Sequence, residues 1–179
     1  MLRAGGIVAL ATLPIVPVSG FLFAWAAFVG PSYGGPVALE RISSTLVLMY
    51  IVFVACAAFV FWTTKQLFDA SGYRAAHMAI VTLIVFLAFL PPLALLSHMW
   101  FSICAVDFGR QAGSRLWQVV GIVNLIGLAL IAVGSLSMVF SATSRFSMDL
   151  ILCAAFVLLI GWLCLGIGLI DGARRMARN

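Results

Sequence analysis

The chain has 179 residues, 65% of them hydrophobic and only 8% charged, with a formal net charge of +5. Soluble globules carry about 25% charged residues, so a water-facing surface is excluded here, and so is a disordered chain. The cations are scattered, without a basic stripe of interleaved aromatics, so nucleic acid is not an expected partner.

What fits is an all-α integral membrane protein. Charge-free runs cover residues 4–39, 42–64, 75–106, 116–144 and 150–170. A helix needs roughly 20 apolar residues to cross about 30 Å of hydrocarbon. Each run is long enough for one crossing and too short for two with a loop. The expectation is one polytopic domain over 1–179, a bundle of five transmembrane helices at 5–29, 43–62, 75–97, 117–140 and 149–170.

In chain order, the first span follows Arg3 and ends at the Pro- and Gly-rich stretch 30–36. Without a clear small-x-small cleavage site, it reads as an uncleaved helix rather than a signal peptide. Ser43 and Ser44 suit the N-cap of the second span. The third span carries Pro91 and Pro92, which free carbonyls one turn earlier and predict a helix kink. The connector 98–116 reads as a loop or an interfacial helix, or as a continuation of the third span past the kink. Ser147 and Asp149 suit the start of the fifth span, and Asp171-Gly172 its end. Trp25, Trp62, Trp100 and Trp117 fall near span ends, as an interfacial aromatic belt requires.

Five crossings put the two chain ends on opposite sides. Arg3, Lys65, Arg74 and Arg145 then share one side, and Arg41, Arg110, Arg115, Arg174, Arg175 and Arg178 the other. The positive-inside rule makes the C-terminus cytoplasmic. Nine Arg against one Lys fits a GC-rich bacterial genome, and a bacterial inner membrane is the expected location.

Small residues recur every seven positions: Gly127, Gly134 and Ser141 on the fourth span, Ser147, Ala154, Gly161 and Gly168 on the fifth. Gly5, Thr12, Ser19 and Ala26 do the same on the first. A bare face of this kind lets two backbones approach, so the fourth and fifth spans are expected to pack through it.

Polar chemistry is sparse. Asn124 is the clearest polar group inside a span and is expected to bond across helices, with a cofactor or pigment contact as the alternative. His77 and His98 on one helix would stand about 31 Å apart, too far to share a haem or metal. His98, Asp107 and Arg110 fall in one connector and form a weak candidate for a headgroup-facing acid/base patch. The cysteines Cys56, Cys104, Cys153 and Cys164 lack a C-x-x-C spacing, and Cys104 is expected to be the accessible one. No catalytic or metal residue is assigned, and no cofactor is predicted beyond a lipid or pigment contact.

Three functions fit. The first is a non-catalytic accessory or assembly subunit of a larger membrane complex, partnered by lipids and by other subunits or itself. The second is a small oligomeric transporter or channel for a neutral or lipophilic solute. The third is a membrane enzyme acting on a lipid or quinone.

Overall fold

A computed structural model describes residues 1–15, 35–140 and 145–177. Trp25, Ser141, Arg178 and most of the expected first span lie outside these residues. Among the described residues there are six helices and no strand: α1 (Leu2–Thr12), α2 (Gly35–Ala70), α3 (His77–Phe89), α4 (Pro91–Gln111), α5 (Arg115–Phe140) and α6 (Arg145–Met176). Three are long and apolar enough to cross a membrane, over Ser44–Ala70, Arg115–Ser137 and Asp149–Met176. Helix length and composition thus mark a membrane protein; three such helices lie among the described residues, against an expectation of five over the whole chain.

The third expected span is where the architecture departs most from the sequence reading. It is not one kinked helix. Leu90, at φ −139° and ψ 68°, separates α3 from α4. Proline crowds the residue before it out of the α region, which accounts for the break. Pro91 then occupies the first turn of α4, where a missing N–H costs nothing. The chain reverses at this point. Tyr73, just before α3, donates a hydrogen bond to Asp107 near the end of α4, at 2.8 Å. The connector 98–116 is therefore mostly helix, and α3 and α4 form an antiparallel hairpin.

The end of α3 leaves its last carbonyls without helical donors. One of them is Leu87 O, and the Tyr50 hydroxyl of α2 donates to it at 2.7 Å. A phenol from a neighbouring helix thus supplies a donor that the end of α3 lacks, as an apolar environment requires.

The hairpin brings the chain ends together. Gly6 lies against Gly166 and Ile170, and Gly5 against Thr63. The starts of α1, α3 and α5 and the ends of α2, α4 and α6 therefore share one end of the bundle, where five crossings would put the two chain ends on opposite sides. The tight connections at this end turn on Gly72 (φ 78°) and Gly113 (φ 61°), left-handed conformations that glycine adopts without a Cβ penalty.

Helices α5 and α6 pack antiparallel in close register. Asn124 sits over Gly161, Leu158 over Gly127, and Trp117 over Gly168. The three pairs share one midpoint in sequence, as an unslipped antiparallel pair must. Ala154 and Gly134 are buried. The small residues act as holes that receive a side chain from the other helix, rather than as two bare strips in contact.

At the shared end, Phe68, Tyr73, Phe108 and Trp117 form one aromatic cluster, with Phe68 and Phe108 centroids 4.2 Å apart. It ties α2, α4 and α5 together. Trp117, at the start of α5, is a core residue, only 3% exposed. Cys104 is buried in the same core, because the segment carrying it is helix, not loop.

Candidate intramembrane binding site

The helices that diverge from this aromatic cluster enclose a cavity of about 390 Å³. All five of α2 to α6 line it. Most of the wall is aliphatic, including Leu83, Leu87, Ile131, Leu158 and Leu159. Phe53, Phe61 and Trp162 supply aromatic surface, and His98 and Asn124 the polar groups. Leu95 is 43% exposed and Ala155 is exposed, so the wall extends to the outer, bilayer-facing surface of the bundle.

His98 and Asn124 meet across α4 and α5, with Nε2 to Oδ1 at 3.0 Å. Asn124 Nδ2 donates to Val120 O at 2.7 Å. Asn124 is 4% exposed, and Gly161 leaves the room its amide occupies. Phe61 presents its edge or face to three neighbours, with centroids 6.2 Å from His98, 5.2 Å from Phe101 and 5.6 Å from Trp162, all near perpendicular. Edge-to-face pairs of this kind hold rings in place. Trp162 is fixed at its far side, its Nε1 donating to Ala9 O at 2.9 Å and to Thr12 Oγ1 at 3.1 Å. The indole therefore joins α1 to the cavity wall.

The sequence-derived candidates divide on this geometry. His98, which the sequence places at the interface, is the cross-helix partner of Asn124. His77 starts α3 and is exposed, on a different helix from His98. Asp107 accepts from Tyr73 and from Gln111 Nε2 at 2.9 Å. Arg110 is exposed near the end of α4. Nine helical residues separate His98 from Asp107, a rise of about 14 Å, so His98, Asp107 and Arg110 do not make one patch. Pro91 and Pro92 begin α4 instead of kinking a continuous helix. Among the described residues no three His, Cys, Asp or Glu side chains are grouped to hold a metal ion.

Sequence reasoning missed Tyr50, Phe61 and Trp162. Only Trp162 gave a signal: it was the one tryptophan deep inside a span. No family model matches this chain, and neither curated proteins nor solved structures show a similar one.

Proposed function

We propose that this protein binds a neutral lipophilic solute in the cavity between α2 and α6, as a membrane-embedded carrier or transporter component. The cavity itself carries the reading. Its volume falls within the range of about 300–1,000 Å³ seen for small-molecule sites, and its lining is apolar with one polar pair, the usual composition of such sites. Water is a poor occupant, since it needs two to four polar partners and the wall supplies few. The exposed Leu95 and Ala155 at the rim favour access from the bilayer.

The accessory-subunit reading rests on the outer surface, where Phe89, Phe156 and Leu152 are strongly exposed. Lipid covers such a surface as well as a partner subunit does, so that surface does not favour one over the other. The charges support an orientation. Arg3, Lys65, Arg74, Arg110, Arg115, Arg174 and Arg175 gather at the shared end, against Arg41 and Arg145 at the other. By the positive-inside rule the shared end is cytoplasmic, in a bacterial inner membrane, with both chain ends there.

The test is gentle-detergent purification followed by native mass determination and solvent extraction. The expected result is a neutral lipophile at about one per chain, absent when Ala155→Trp fills the cavity. A protein free of lipophile but bound to a stoichiometric larger subunit would overturn this reading in favour of the accessory subunit.

A further inference from the structure

The hydrogen bonds around Asn124 fix which ring nitrogen of His98 carries hydrogen. Val120 O is a carbonyl and can only accept, so the Asn124 group facing it at 2.7 Å is the NH₂. The other end of the amide, Oδ1, then faces His98 Nε2 at 3.0 Å. Oδ1 also only accepts, so Nε2 carries the hydrogen. In the neutral imidazole this leaves Nδ1 as a bare acceptor. No carboxylate lines the cavity to balance an imidazolium.

That acceptor has space in front of it. No described residue bonds Nδ1. Among the described residues, however, no fully buried side-chain nitrogen or oxygen lacks a partner. Nδ1 is therefore reached from open space, and the space that His98 lines is the cavity. An apolar cavity with one fixed acceptor and a fixed aromatic wall is complementary to an apolar body carrying one hydroxyl.

We infer that the cavity selects lipophilic alcohols or phenols, whose O–H donates to His98 Nδ1 while the apolar body lies against Trp162 and Phe61. This rests on the lipophile-binding reading and specifies its ligand class. Ethers and hydrocarbons of the same shape leave Nδ1 without a donor. A neutral hydrogen bond contributes roughly 1 kcal/mol, so the alcohol binds about 5- to 10-fold more tightly.

The experiment uses the full-length protein in lipid nanodiscs and three brominated probes: ω-bromodecanol, its methyl ether and bromodecane. Bromine quenches indole fluorescence on contact, and Trp162→Phe identifies the part of the signal that comes from this ring. The expected result is saturable quenching of Trp162 by all three probes. The alcohol is preferred about 5- to 10-fold, and that preference is lost in His98→Phe. Because the probe series is run first on the unmodified protein, it does not depend on any variant folding. Equal affinities for the three probes, or a preference that survives in His98→Phe, would overturn the hydroxyl selection while leaving the cavity reading intact. No saturable quenching of Trp162 by any probe would overturn both.

Discussion

Two tyrosines do structural work that their exposure does not advertise. Tyr50 is 42% exposed, yet its hydroxyl satisfies a carbonyl that the end of α3 leaves open. Tyr50→Phe keeps the ring and removes only that donor. Its expected cost is about 1–3 kcal/mol, the penalty for an unpaired carbonyl in apolar surroundings, read as a lower thermal midpoint in detergent. Tyr73 gives a pH signature instead. Burial raises its hydroxyl well above the ordinary value of 10.0, and the hydrogen bond to Asp107 raises it further. The stabilisation is therefore complete below pH 10 and is lost as pH rises toward the raised value, because the unfolded chain releases its proton first. Above pH 10 the protein should lose stability more steeply than Tyr73→Phe, by up to about 1.4 kcal/mol per pH unit. Denaturant titrations of both proteins at stepped alkaline pH measure the difference in slope.

At the scale of elements, the α5–α6 pair tests how much a single hole matters. A Cβ at Gly161 would stand 2.7–2.9 Å from the Asn124 amide, and one at Gly168 would stand 3.3 Å from the Trp117 ring. Gly161→Ala must push the amide away from His98 and should cost about 1–3 kcal/mol. Gly168→Ala needs only a small ring shift, offset by better helix propensity, and should cost less than about 1 kcal/mol. Unfolding both variants in the same detergent ranks them. The periodicity of small residues was legible in the sequence because it is a one-dimensional pattern. What fills each hole was not, since Asn124, Leu158 and Trp117 find their holes only through antiparallel register. The hairpin was hidden for a related reason. Pro91 announces a broken helix, but a kink and a reversal look the same locally. The donor from Tyr50 and the bond from Tyr73 to Asp107 join positions 37 and 34 residues apart, which no local pattern predicts.

Across the whole molecule, one reversal changes the distribution of charge between the two faces. Counting crossings from charge-free runs treats 75–106 as a single passage, which splits the cations almost evenly between the sides. Folding that run back on itself moves Arg110, Arg115, Arg174 and Arg175 to the face that holds Arg3, Lys65 and Arg74. A weak charge bias becomes a strong one without any change in sequence, and His98 moves from the interface to the interior beside Asn124. The two topologies make opposite predictions for two exposed positions. Ser71 precedes α3 and Ala112 follows α4; a single crossing would put them on opposite sides of the membrane, and a hairpin puts them on one. In a background where the native cysteines are alanine, Ser71→Cys and Ala112→Cys should react with a membrane-impermeant maleimide only from one and the same side. Arg145→Cys, at the start of α6, should react only from the other side. Labelling of Ser71→Cys and Ala112→Cys from opposite faces would reject the hairpin, and the shared charged end would be rejected with it. The cavity would lose the wall contributed by α3 and the first half of α4, so this accessibility assay constrains the binding site as directly as it constrains the topology.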